Sequence, residues 1–240
     1  MSPLITRTAV LLFSLPASVS AERKELTRWR RNVRYQQRVW AQTTRLTIAK
    51  VSAAGLPCLP SSSLSTTDCT RPFGEQLQTA VRAVLSQGYE HIIVIGDDCP
   101  DLRVSDLRRA AAALESGQLP VGYDQRGGVF LLGLDQRFLT AGLTDTFGRL
   151  PWQTHTLGAA LTDFMTASFG CVIGLSATRA DWNDRADVRA GTWLMGAFAG
   201  LARQLWALLT PALPYPFSFS LPSVSDHYDG KALLRGPPAA

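Results

Sequence analysis

Histidine, methionine and paired cysteines are scarce in this 240-residue chain, which has three His, three Met and four Cys. None of the cysteines (Cys58, Cys69, Cys99, Cys171) forms a CxxC pair, and no His stands at zinc-finger spacing. That absence excludes the usual signature of a structural zinc site. The pattern GxxxxGK[ST] is missing, which excludes a P-loop. No Ser-His-Asp or Cys-His nucleophile arrangement is legible, which argues against hydrolysis through a covalent enzyme intermediate. No apolar run reaches the ~20 clean residues that span a bilayer. The nearest, 193–209, is interrupted by Arg203 and Gln204 and reads as a terminal helix packed on the domain. Internal repeats are absent as well.

What is present describes a globular protein: 46% apolar residues and 18% charged ones. The net charge of +5 is concentrated at one end. Residues 1–50 carry ten Lys/Arg against two Glu, or +8, which leaves −3 for the rest of the chain. Cys99 and Cys171 lie in or beside apolar strand candidates, where a free thiol behaves as a small hydrophobe. Cys58 and Cys69 flank a Ser/Thr-rich loop and would pair only in an oxidising compartment. All four are read as reduced, in keeping with a cytoplasmic protein.

The first apolar run, Thr8 to Leu15, has two readings. With Arg7 before it and Ser18-Val-Ser-Ala21 after it, it has the form of a secretory signal; it also suits a first strand. Glu22 to Leu46 lacks Gly and Pro and predicts a helix. Leu26, Trp29, Val33 and Trp40 fall near one face, with arginines around the remainder. The plain reading is a surface helix with solvated arginines, ahead of a nucleic-acid or membrane-surface element. Thr47 to Ala53 reads weakly as a strand, and Pro57 to Arg71 as a surface connection. A helix from Phe73 to Leu85 follows, then one from Asp106 to Glu115 capped by Ser105. Leu119 to Gly122, Val129 to Leu134 and Cys171 to Ser176 read as strands, and Pro151 to Thr154 as the start of a helix with Thr154 as cap. Strands alternating with helices predict an α/β sandwich with a mostly parallel or mixed sheet. The core domain spans 1–190, a C-terminal helix 191–209, and an irregular Pro/Ser-rich tail 210–240.

The most informative stretch is His91-Ile-Ile-Val-Ile-Gly-Asp-Asp-Cys-Pro-Asp-Leu102. Its continuous apolar run predicts a buried strand. Asp97 and Asp98 then fall at the carboxyl end, where open α/β sheets bind ligands. Unpaired carboxylates beside a core are costly, so a divalent cation is their natural partner, and a diphosphate-bearing substrate follows from it. The plainer reading is that Asp98 or Asp101 caps the next helix.

Five segments in order carry a resemblance: Gly74-Glu-Gln-Leu77, Ile95 to Leu102, Arg126-Gly-Gly-Val-Phe-Leu-Leu-Gly-Leu134, Leu150-Pro-Trp-Gln-Thr154, and the aspartate-bearing 181–188. The chain resembles a small glycosyltransferase-like family, once catalogued as a domain of unknown function and associated with radical-SAM and arsenosugar pathways. The resemblance implies the nucleotide-diphospho-sugar transferase fold, a Rossmann-like three-layer α/β/α sandwich of the GT-A type. It implies that Thr8 to Leu15 is the first strand and that Pro16 to Leu26 is a phosphate-facing loop, glycine-poor here, with Arg23 and Lys24 as nucleotide contacts. It implies transfer of a sugar from a nucleotide-sugar donor to a small acceptor, with no nucleic-acid partner. Mg²⁺ or Mn²⁺ would be held by Asp97, Asp98 and Asp181, with Asp98 as the catalytic group. Gly127, Gly128 and Trp152 would face substrate, although a hairpin turn and a core tryptophan are the plainer roles. Arg126 stands where the family usually has an acid, and Asn183 where a second aspartate is common. Two further outcomes stay open: nucleotidyl transfer to a phosphorylated metabolite, and a noncatalytic nucleotide-binding member.

Overall fold

The computed structural model describes residues 7–24, 26, 33–64, 70–124, 126–140, 142–175 and 179–210. Six strands form one sheet among these residues: β1 (Thr8–Leu12), β2 (Cys58–Pro60), β3 (His91–Ile95), β4 (Leu119–Tyr123), β5 (Val129–Asp135) and β6 (Val172–Gly174), in the order β2-β1-β3-β5-β4-β6. All run parallel except β5, which is antiparallel to both β3 and β4. The register sets Leu12 beside Ile95 and Ile95 beside Leu131. Continuous apolar composition puts β1 and β3 in the middle of the sheet, where both faces are covered. Ala9, Val10, Leu11, Leu12, Ile92 and Ile93 are fully buried.

The helices are α1 (Ala17–Arg23), α2 (Val33–Ala54), α3 (Phe73–Leu85), α4 (Val104–Glu115), α5 (Leu143–Gly148), α6 (Leu157–Phe169) and α7 (Ala199–Leu209). α2 packs against α1, α4 and α7, and α4 lies on β3, β4 and β5. α3 lies on β1 and β3 and against α5, which meets α6. The result is the expected α/β sandwich. A second apolar cluster stands beside the main core and joins Leu26, Trp40 and Leu46 to Trp182, Trp193 and Leu205.

Several local expectations are corrected. Residues 47–53 are helical, not a strand, because Leu46, Thr47, Lys50 and Val51 continue the buried stripe of α2. The connection 57–71 contains β2, held to the sheet by the Val10 amide on the Pro57 carbonyl at 2.9 Å. The expected phosphate-facing loop is helical over Ala17–Arg23, a segment of Ala, Ser, Val, Glu and Arg with no glycine or proline to interrupt it. Helix α4 starts at Val104, two residues earlier than expected, and is not capped by Ser105. Asp106 instead accepts the Arg103 backbone N–H at 2.9 Å. Helix α6 begins at Leu157 rather than after Thr154, because 152–156 form turns that line the site. Of the expected first helix, Leu26 and Trp40 are buried while Val33 is 46% exposed. Trp29, Cys69 and the tail from 211 lie outside the described residues.

Candidate functional site

The parallel strands end on one edge of the sheet, so their carboxyl ends bring residues 13–15, 96–98 and 124 together with the start of β5. A cavity of about 390 Å³ opens there, with Lys24, Asp97, Asp98, Asp124, Arg126 and Asp181 in its polar wall. That is the position where open α/β sheets take ligands.

One wall is acidic. Gly96 ends β3, and the chain turns so that Asp97 points inward (7% exposed) and Asp98 faces the cavity. The Thr44 hydroxyl, from α2, donates to Asp97 at 2.6 Å. Burial, followed by the Asp98 charge, pushes the Asp97 carboxyl up to about 7. The segment after β6 is fixed by the Trp182 amide, which donates to the Asp98 carbonyl at 2.8 Å, and this brings Asp181 to the same place. Burial, then the charges of Asp98 and Asp124, raise Asp181 to about 8, against the hydrogen bond from Cys99. One Asp181 oxygen, Oδ1, is buried without a hydrogen-bond partner. A buried acceptor left open is costly.

Lys24 answers this acidity. Its ammonium pairs directly with Asp98, with both side chains about a quarter exposed. Burial works against the Lys24 charge, but Asp98, then Asp181 and Asp97, outweigh it and raise its pKa. Lys50 serves the same loop from below: it is buried, donates to the Pro100 carbonyl and is lowered to about 8 by burial.

The facing wall is built by a tight turn. Asp124 accepts the backbone N–H groups of Arg126 and Gly128, both at 2.7 Å. Gly127 has φ +84°, and a Cβ there would meet the His155 carbonyl at 2.7 Å, so only glycine suits this position. Its carbonyl takes the Gly158 amide at 2.8 Å, which locks the turn to the start of α6. Arg126 pairs with the buried Asp187, itself held by the amides of Asn183 and Asp184. Gln153, a lining residue, has φ +64°, the one positive value outside glycine among the described residues. Trp152 stands against Phe73 and Phe147 and donates to the Phe147 carbonyl at 2.8 Å.

Lys24, Asp97, Asp98, Gly128, Trp152 and Asp181 are therefore gathered around one cavity. Gly127 shapes the turn, and Trp152 is tied into an aromatic cluster at the cavity edge. The side chain of Arg23 lies outside the described residues. Sequence reasoning missed Thr44 and the Arg126–Asp187 pair, whose partners are remote in the chain, and gave Asp124 no place in the site although its partners are local. His155 and Asn183 also line the cavity.

Among the described residues no three His, Cys, Asp or Glu side chains converge to hold an ion by themselves. The donors nevertheless fit a hard cation that arrives with oxygen ligands of its own. Mg²⁺ is commonly held by one or two carboxylates plus substrate phosphates. Asp98 and Asp181, both in the cavity wall, are the carboxylates that could serve in this way.

Fold and cavity together define an α/β sandwich protein with an acid-lined cavity at the carboxyl edge of its sheet. The chain belongs to the DUF2064 family, "uncharacterized protein conserved in bacteria", which matches residues 25–154. The crystal structure of a "putative nucleotide-diphospho-sugar transferase" from Desulfovibrio desulfuricans G20 superposes with a TM-score of 0.63 at 14% identity, covering 85% of this chain and 96% of that one. Rv0371c from Mycobacterium tuberculosis H37Rv gives 0.41 at 17% identity, over 75% and 95% of the two chains. Its homologue from Mycobacterium sp. strain JC1 gives 0.42 at 13%, over 85% and 100%. No curated protein matches the chain.

Proposed function

We propose that the protein is a metal-dependent glycosyltransferase that moves a sugar from a nucleotide-sugar donor to a small acceptor. The observation that carries this reading is the acid-lined cavity at the strand ends, with Asp98 and Asp181 both in its wall and one Asp181 oxygen left without a partner. Asp98 and Asp181 hold Mg²⁺ or Mn²⁺, with Asp97 behind them as a third acid fixed by Thr44. When bound, the cation supplies Lewis-acid neutralisation of the leaving diphosphate. Lys24, and Arg23 beside it, bring positive charge to the phosphates. The turn at Gly127 and Gly128 leaves space for a close approach of backbone to sugar or acceptor. In the transfer the bond from anomeric carbon to diphosphate oxygen breaks, an acceptor hydroxyl oxygen bonds the anomeric carbon in its place, and the hydroxyl proton passes to the released diphosphate or to water.

The test is a thermal-shift screen of nucleotides and nucleotide-sugars with and without Mn²⁺, followed by product analysis of the best donor. We expect stabilisation that requires both components and release of a nucleoside diphosphate. Release of pyrophosphate would assign nucleotidyl transfer instead. Asp98→Ala should remove the Mn²⁺-dependent shift while leaving the melting temperature of the free protein within a few degrees. An unchanged ligand shift in that variant overturns the role of Asp98.

A further inference from the structure

The most direct contact in the cavity joins two residues that the proposed function uses separately. Lys24 is needed at the diphosphate and Asp98 at the cation, yet here the ammonium rests on the Asp98 carboxylate. A monovalent and a divalent cation on the same oxygen repel strongly in a partly desolvated site. The pair must therefore open before Oδ2 of Asp98 can ligate a cation. We propose that Lys24 is an internal counter-ion that closes the metal site until a diphosphate draws it away, so that metal and donor bind only together.

Three features support the exchange. The Lys24 backbone is anchored, its amide donating to the Ser20 carbonyl at 2.9 Å at the end of α1, so the motion belongs to the flexible four-carbon side chain. Other described cations near the site are already engaged: Arg126 with Asp187, and Lys50 with the Pro100 carbonyl. Lys24 is the one of the three whose partner is an acid of the cavity wall itself. Finally, Asp181 lies close enough for its charge to act on Lys24, and its Oδ1 is buried with no hydrogen-bond partner. The ammonium satisfies one acid and leaves a second donor waiting. A diphosphate offers Lys24 more negative charge than a single carboxylate, and its departure gives a cation both carboxylates plus the phosphate oxygens.

The inference rests on the nucleotide-sugar reading for the identity of the diphosphate, but it can be tested on the metal alone. Mn²⁺ binding is measured by electron paramagnetic resonance on the full chain, for wild type and for Lys24→Met, Lys24→Gln and Lys24→Arg, each checked for folding by its melting curve. Without nucleotide, the two neutral variants should bind Mn²⁺ more tightly than wild type by about tenfold or more, while Lys24→Arg stays weak. Adding UDP, GDP, CDP or ADP in turn should tighten Mn²⁺ binding to wild type, and much less so to Lys24→Met. Equal Mn²⁺ affinity of wild type and both neutral variants overturns the proposal, even if nucleotides still bind and the functional reading stands. Tighter Mn²⁺ in the neutral variants with no response to any nucleotide or nucleotide-sugar keeps the counter-ion and removes the donor assignment.

Discussion

At the scale of single residues, the acidic wall stores electrostatic cost. Asp97 is buried and Asp181 half-buried, and desolvation is the main reason their carboxyls rise to about 7 and about 8 from an ordinary value of 3.8. In the folded chain they hold protons that the unfolded chain has already released. Stability therefore falls as pH rises from about 4 through these raised values, and the favourable neutral forms are complete only below about pH 4. Asp181→Asn removes the ionisation while keeping the shape. We expect it to match wild type near pH 3.5, where folded and unfolded chains both keep the proton, and to melt higher at pH 9, by roughly 2–4 °C for each kcal/mol relieved. Calorimetric melting at the two pH values checks this, and a variant that melts no higher than wild type at pH 9 contradicts the assigned burial cost. The same cost explains why a cation suits the site, since it stabilises the charged forms that burial disfavours.

At the scale of elements, close approach decides which residues are tolerated. Gly74, in the first turn of α3, faces the end of α5 so closely that a Cβ would lie 2.1 Å from the Gly148 carbonyl and 2.3 Å from Trp152 Cδ1. Gly74→Ala should cost about 1–3 kcal/mol by overpacking and shift the tryptophan emission, because Trp152 has to move. Urea unfolding followed by fluorescence reads both, and a stability equal to wild type would show that this contact is loose. This crossing gives a physical reason for the glycine that opens Gly74-Glu-Gln-Leu77. Elements with a strong local signal were legible in the chain: β3 and β5 as apolar runs ended by turns, and α3 as a stripe of Leu77, Val81, Val84 and Leu85. β2 was not, because three residues that include a proline become a strand only through their neighbour β1. The helical 47–53 was misread because Thr47 and Ile48 are β-branched, whereas tertiary burial of Lys50 and Val51 outweighs that preference. The site follows the same rule. Asp97 and Asp98 were legible from their place at a strand end, but Thr44 reaches Asp97 across 53 residues, and no local pattern encodes such a meeting.

At the scale of the whole molecule, the two apolar clusters divide the work. The main cluster encloses the sheet, while the second, between α2 and α7, supports the rear of the cavity. Trp182 packs edge-on against Trp193 at 5.2 Å, Trp193 meets Trp206 at 6.0 Å, and fully buried Leu205 lies in the same cluster. Because the Trp182 amide also holds the Asp98 carbonyl, disturbance of this cluster reaches the acids directly. Leu205→Ala should cost about 2–5 kcal/mol, as a buried leucine generally does. Leu114→Ala, in the main cluster at the far end of α4, should cost a similar amount. The two variants part in ligand binding, measured below both melting temperatures: Leu205→Ala should weaken Mn²⁺-dependent nucleotide binding, and Leu114→Ala should leave it near wild type. Equal affinities would mean that α7 stabilises the chain without positioning Asp98 and Asp181. A selective loss would make the C-terminal helix part of the binding architecture, although it contributes no side chain to the cavity wall.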